Sequence, residues 1–502
     1  MAIPVPALDW PVLVPLLIVT GAAFACLLLD LVPPRERKGH LAAAGVVGLA
    51  GALLASVILW AHPVARFQEM VALDPFALFF NAIFCVTTGL VLLLSVGYVR
   101  RRGIEVGEYY VLVLFAAVGM MLMASALDLL VIFLGLELMS LSLYVLAGFF
   151  RTRAAGNESA MKYFLLGAFA SGFFLYGIAL LYGATGTTSL PRLAEALAAR
   201  GAGRDLLILA GLGLLLVGFG FKTSAVPFHQ WAPDVYEGAP TAVAALIATG
   251  SKAAAFAALL RVLVALRVLE ANWATLFWVL AALTMTVGNV IALAQGNLKR
   301  MLAYSSVAHV GYMLVGLTAG AGSGGPAVLY YLVVYSFATV GAFGVILLLE
   351  REGREGSGGS EAADRRRRDR MEEAVDLPAY GGLAARHPIL ALALAVFMLS
   401  LIGMPPTAGF VGKFYLFSAA IGEQFYWLAV IAVLNSVVAA YYYLRLIVFM
   451  YMREPDVADV RARLTPAAGV SLAVAVWATL HLGLMPGTVF DLAQRAVAPL
   501  LP

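Results

Sequence analysis

Apolar stretches long enough to cross a bilayer recur along almost the whole chain, at 11–32, 41–61, 74–99, 109–127, 128–149, 159–183, 206–237, 239–267, 273–294, 301–319, 327–349, 389–421, 426–450 and 466–487. Inside a bilayer no water satisfies the backbone, so a run of this kind must close its own hydrogen bonds as a helix. The chain is therefore expected to be an all-α integral membrane protein of about 14 transmembrane helices. Composition agrees: 62% hydrophobic residues, 12% charged residues and a mean hydropathy of +0.93 exclude a soluble globular domain. The two cysteines, Cys26 and Cys85, fall in apolar runs and read as small packed hydrophobes. Neither a disulfide framework nor a metal cluster is expected. The opening MAIPVPALDW has no basic residue ahead of the first run, so that run reads as a retained span.

Orientation follows from the basic residues between the runs. By count about 21 of the 33 Lys and Arg residues follow odd-numbered spans, including Arg35, Arg37 and Lys38, Arg100 to Arg102, Lys299 and Arg300. That side is the cytoplasm, which puts both termini on the opposite side of the membrane. The segment 350–388 is rich in Gly, Ser and charge, with RRRRDR from Arg365 to Arg370, and is expected to be a mobile cytoplasmic loop.

Two spans are too long to be single straight helices. As one helix, 206–237 would reach roughly 48 Å against a hydrocarbon core of about 30 Å. Its centre, GFGFKTSAVPFHQWAPDVYEGAP, carries Pro227, which has no N–H for the carbonyl of Thr223 and breaks the helix. The run 389–421 repeats the device with Pro405 and Pro406 in IGMPPTAGFVGKFYLF, about 180 residues further on. Five spans, the fourth to the eighth, match the ninth to the thirteenth, and an odd number of spans per unit inverts one copy. The expected organisation is helices one to three over 1–106, a first five-helix repeat over 107–267, an inverted repeat over 268–450, and a last helix in 451–502. Proline-interrupted segments at matching places in two such halves point to an ion site.

Ionisable residues within the runs are functional candidates. Lys222 stands just before the first break, Lys252 near the middle of the eighth span, and Lys413 just after the second break. The predicted topology steps these three across the membrane. Glu137 lies in the fifth span with Ser140 and Tyr144 on its face, and is the natural counter-ion of Lys222. Burial disfavours an amine's charged form and a nearby carboxylate favours it, so moving Glu137 relative to Lys222 would gate a proton. Lys162 is open between a relay member and a residue snorkelling to the interface. His229 and His309 suit either proton shuttling or hydrogen-bonded packing. Arg261 and Arg445 read as structural, and Asp30 and Asp128 as solvated carboxylates at span ends.

With KTSAVPFHQWAPDVYEGAPT, GMPPTAGFVGKFY, LGLELMSLSLYVLAG and ESAMKYFLLGAFASGFFLYGIALLYG in view, the chain resembles the antiporter-like membrane subunits of respiratory complex I, the proton-pumping NADH:quinone oxidoreductase. The likeness covers nearly all of it and is closest to the N-type members. It implies a 14-helix bundle with an inverted repeat, a Glu137–Lys222 pair, Lys252 as the central lysine, Lys413 toward the exit, and Lys162 as the sixth-helix lysine. M-type members carry a glutamate where Lys413 stands, and L-type members a long lateral helix that is not expected after Pro502. The resemblance further implies proton translocation through a Glu/Lys relay driven by quinone reduction elsewhere. NADH, FMN, iron–sulfur clusters and quinone are then expected on other subunits, with no cofactor or metal bound here. The partners implied are other membrane subunits, including antiporter-like neighbours, and lipid, but not nucleic acid. Two other readings are a subunit of a cation/proton antiporter and a passive membrane scaffold.

Overall fold

The computed structural model describes every residue except 1–8, 32–37, 63, 152, 201–204, 353–370, 455–459 and 502. Arg35, Arg37 and the Arg365 to Arg370 run therefore lie outside the described residues. Among the described residues, thirteen helices are long and apolar enough to cross a membrane, and two shorter apolar helices, Pro388–Ile402 and Ala408–Gly422, lie end to end in sequence between them. Together they account for the 14 expected crossings, the twelfth being the broken pair. Numbered in that order, the spans that matter below are the third (Pro75–Arg101), fourth (Gly107–Ser125), fifth (Leu129–Ala147), sixth (Ala154–Thr185), seventh (Leu206–Thr223), eighth (Thr241–Ala265), ninth (Arg267–Leu293), tenth (Leu298–Thr318), eleventh (Gly320–Leu348) and thirteenth (Tyr426–Met452).

Polar residues at the span ends set where helices start. Asp74 accepts the N–H of Ala77 at 2.7 Å, Asp128 that of Leu130 at 2.8 Å, and Asp205 that of Leu207 at 2.9 Å, each satisfying an otherwise orphaned first-turn donor. Asp128 is thus a buried cap that also accepts the Thr188 hydroxyl at 2.6 Å, a correction to its reading as a solvated carboxylate. Asp30 meets Lys38 at 2.6 Å. Arg261 donates to Asp74 at 2.8 Å and to the carbonyl of Ala124 at 2.6 Å, and Arg445 donates to the carbonyls of Leu293 and Gln295. Both arginines tie span ends together, as structural residues do.

Burial separates inner from outer helices. The eighth and tenth spans are 100% and 94% buried against 39% for the sixth and ninth, so Lys252 and His309 ride on the central helices. The fourth and fifth spans cross with Gly119 against the backbone of Met139, and the ninth and tenth with Gly311 against that of Met285; a Cβ at either glycine would come within 2.5 Å of those backbone atoms.

Small sheets lie outside the spans. Strands β1 (Ala65–Phe67) and β2 (Val71–Leu73) form a hairpin. Strand β3 (Leu349–Glu352) pairs antiparallel with both β4 (Met371–Glu373) and β5 (Val460–Ala462), with Glu350 opposite Glu373 and Arg461. The described ends of the segment expected to be a mobile loop are therefore ordered. The side chains of Glu350 and Glu373 are buried because they reach cations and hydroxyls on the helix ends beneath them. Two helices unforeseen in the sequence, Leu190–Arg200 and Gly487–Val497, follow the sixth and fourteenth spans.

Candidate functional site: a file of lysines, tyrosines and a histidine

Both long spans break where proline was expected to break them. The seventh span stops at Thr223, Ser224 takes a left-handed conformation at φ 66°, and helix resumes at Trp231. The twelfth stops at Ile402, Gly403 turns at φ 90°, and helix resumes at Ala408. At each break a side chain bonds a carbonyl of the last helical turn. The Phe221 carbonyl accepts the Trp231 indole N–H at 3.0 Å beside the Ser224 N–H at 3.1 Å, and the Ile402 carbonyl accepts Lys413 at 2.8 Å.

Lys222 is 1% exposed and donates to the Tyr144 hydroxyl at 3.1 Å. The rings of Tyr144, Tyr163 and Phe221 surround its ammonium at 4.9, 5.3 and 5.4 Å. Glu137, half-buried on the same helix as Tyr144, instead accepts the Ser171 hydroxyl of the sixth span. The expected pair is therefore close in the fold but not in contact, with Tyr144 taking the lysine. Ser140, expected beside Glu137, turns its hydroxyl back to the Leu136 carbonyl.

Lys252 follows a wide, π-type turn over Ile247–Ser251, an irregularity often found at functional positions. Its ammonium, fully buried, donates to the Ser306 hydroxyl at 2.8 Å and the Ser306 carbonyl at 3.2 Å, and the Tyr236 hydroxyl lies 3.4 Å from that of Ser306. One turn further along the tenth span is His309, also buried. Its Nδ1 lies 2.6 Å from the Tyr331 hydroxyl and its Nε2 3.0 Å from that of Tyr443, which also bonds Ser305. Another turn on, the ring of Tyr312 sits 4.5 Å from the ammonium of Lys413. Lys413 reaches Ser436 at 3.3 Å in addition to the Ile402 carbonyl.

Ser306, His309 and Tyr312 thus form a polar stripe on one face of the tenth span, connecting Lys252 to Lys413. Sequence reasoning singled out only His309. The available signal was polar residues recurring every three or four positions in LKRMLAYSSVAHVGYMLVG. Between Lys222 and Lys252 the link is aromatic. Tyr163 stacks on Trp231 at 4.5 Å, and Trp231 meets Tyr236 at 6.4 Å.

The remaining candidates stand apart. Lys162 is 43% exposed and pairs with Asp234 at 2.6 Å and Glu158 at 2.7 Å, while Arg300 joins Asp234 to Glu237, a surface network. His229, in the linker after the first break, makes an edge contact with Tyr304 at 6.5 Å.

A buried cluster missed in the sequence closes the end where Arg300 lies. Glu373 accepts from the Tyr98 and Thr241 hydroxyls at 2.5 and 2.6 Å and meets Lys299 at 3.3 Å, joining β4 to the third, eighth and tenth spans. Burial alone would raise its carboxyl, but the charges of Lys299 and Arg102 and the two hydroxyl bonds outweigh that and hold it at about 2. No group of residues suited to holding a metal ion occurs among the described residues.

Residues 126–439 match the family model described as NADH:quinone oxidoreductase/Mrp antiporter, TM. The chain is 47% identical over 487 residues to NADH-quinone oxidoreductase subunit N of Trichlorobacter lovleyi, covering 97% of this chain and 96% of that one. It is 45% identical over 503 residues to subunit N 2 of Roseiflexus castenholzii, covering 98% and 97%. Its fold is similar to a chain of respiratory complex I from Thermus thermophilus with bound aureothin, with TM-score 0.78, 39% identity, and 95% and 98% coverage. A chain of the Mrp complex from Dietzia sp. DQ12-45-1b shares the fold alone, with TM-score 0.83, 21% identity and 98% coverage of both.

Proposed function

This chain belongs to the NADH-quinone oxidoreductase subunit N family, the proton-translocating membrane subunit of complex I, and from there we propose that Glu137, Lys222, Lys252 and Lys413 carry its protons. The observation that carries this assignment is the tenth-span stripe, which brings Lys252 and Lys413 to opposite ends of one run of hydroxyl, imidazole and phenol groups. His309 is the middle station. His229 and Lys162 are left out of the relay, the first for its position in the linker and the second because its ammonium is held by two carboxylates.

In this reading a change in quinone chemistry on neighbouring subunits moves Glu137 relative to Lys222. Drawing the carboxylate toward the ammonium holds the proton; withdrawing it releases the proton toward Tyr163, Tyr236 and Lys252. Each charge moved against 100 mV costs about 2.3 kcal/mol, so the drive must come from redox chemistry on other subunits. NADH, FMN, iron–sulfur clusters and quinone belong there. The two breaks and the repeated glycine crossings support two inverted halves, 107–267 and 268–450. The basic ends of the odd-numbered spans support a cytoplasmic face there and both termini on the outer side of the inner membrane, with antiporter-like subunits as neighbours in the complex.

The test is Lys222→Ala in the whole complex, reconstituted in vesicles. NADH-driven proton uptake should fall at least about tenfold while the complex stays assembled. Normal uptake would remove Lys222 from the relay.

A further inference from the structure

Beside the second break lies a buried amide pair that the relay does not use. Asn289, on the ninth span, is fully buried, and Asn435, on the thirteenth, nearly so. The Asn289 amide nitrogen lies 3.1 Å from the Tyr312 hydroxyl and 3.2 Å from both the side-chain and backbone oxygens of Asn435, while its oxygen accepts the Tyr442 hydroxyl at 2.9 Å. Asn435 in turn donates to Thr286 at 3.1 Å and to the Ile431 carbonyl at 3.0 Å. Two amides with this many partners in an apolar span form a rigid network, since each lost bond would strand a buried polar group.

The two phenols on Asn289 flank different stations. The Tyr312 ring lies against Lys413, and Tyr442 packs at 4.4 Å on Tyr443, whose hydroxyl meets Nε2 of His309. Ser436, the residue after Asn435, touches Lys413 directly. We propose that Asn289 and Asn435 are positioning residues for proton transfer at the second break: by fixing Tyr312 and Tyr442 they hold Lys413 and His309 in one mutual geometry. A freed Tyr312 would swing off the ammonium, and a freed Tyr442 would loosen Tyr443 against His309. The inference rests on Lys413 belonging to the relay.

The test is a double-mutant cycle in the reconstituted complex, reading the initial rate of NADH-driven proton uptake with a soluble quinone as acceptor. Tyr312→Phe should slow uptake by about threefold and Asn289→Leu by more, since it also frees Tyr442, and the double variant should be no slower than Asn289→Leu alone, because the Tyr312 bond is already lost there. If Asn289 only held the ninth and thirteenth spans together, the two losses would multiply in the double variant, or Tyr312→Phe, which keeps the ring and its packing, would change nothing. Either result overturns the proposal. Lys413→Ala separates it from the reading beneath: full uptake by that variant removes Lys413 from the relay and the amide clamp with it. Loss of uptake there with a normal Tyr312→Phe overturns the clamp alone.

Discussion

At the first break the lysine precedes the interruption, on the last turn of its helix; at the second it follows, inside the helix that resumes. The consequence is chemical. The Phe221 carbonyl is bonded by the Ser224 N–H and an indole, neither of which gives up its proton, and Lys222 is left with a hydroxyl and three aromatic faces. The carbonyl freed at Ile402 is bonded by Lys413 itself. The lysine therefore carries no backbone bond at the first break and carries one at the second. A lysine held by ring faces and one hydroxyl is easily steered by a carboxylate such as Glu137. A lysine anchored to a backbone carbonyl keeps its place whether or not it is charged, since the neutral amine also donates.

Away from both breaks, the largest effect is expected where β4 ties the third, eighth and tenth spans together. Replacing Glu373 with Gln leaves Lys299 buried without its counter-charge, which should cost about 3 kcal/mol. Because the folded carboxyl is held at about 2, below an unfolded value of roughly 4.3, its contribution is fully present above the unfolded value and is lost as pH falls toward 2. Thermal unfolding midpoints of the detergent-solubilised complex across that window should drop for the wild type and stay flatter for Glu373→Gln. Identical profiles would mean that the cluster holds nothing together.

The two lysines should then part company. Lys413→Met orphans the Ile402 carbonyl and should cost about 1–3 kcal/mol. Lys222→Met replaces a buried ammonium by an apolar chain and strands no backbone group, so it should be close to neutral for stability. Equal shifts in unfolding midpoint would erase the distinction drawn above. Trp231→Phe should cost less than Lys413→Met, about 0.5–1 kcal/mol, because the Phe221 carbonyl keeps the Ser224 N–H when the indole is lost. The smallest contrast concerns the hydroxyls. Tyr144→Phe should slow proton uptake about threefold, since it removes the phenol that accepts from Lys222, whereas Ser436→Ala should change it less than about twofold because Lys413 keeps its carbonyl. The reverse order would show that the hydroxyl matters more at the second break.

Much of this was legible in the chain itself. The crossings follow from hydropathy because lipid admits helices and little else, and both interruptions follow from proline because its ring cannot continue the ladder. Lys222, Lys252 and Lys413 announced themselves as ionisable groups in apolar runs. What escaped were groups with no such contrast. Ser306, Tyr312 and Tyr331 are common in membrane helices, and Asn289 and Asn435 carry no charge. Glu373, in a hydrophilic stretch, gave no sign of being buried.

Charge, hydropathy and backbone chemistry are properties of a residue and its near neighbours, and so the order of residues was enough to set the number of spans, the places where two of them break, and which cations lie within them. Partner choice is a property of the packed bundle. That Lys222 rests on Tyr144 while Glu137 turns to Ser171, that Lys413 answers the Ile402 carbonyl, and that one face of the tenth span links two lysines were decided only when helices distant in sequence met. A hydrogen bond depends on distances of a few ångströms between groups that no local pattern relates.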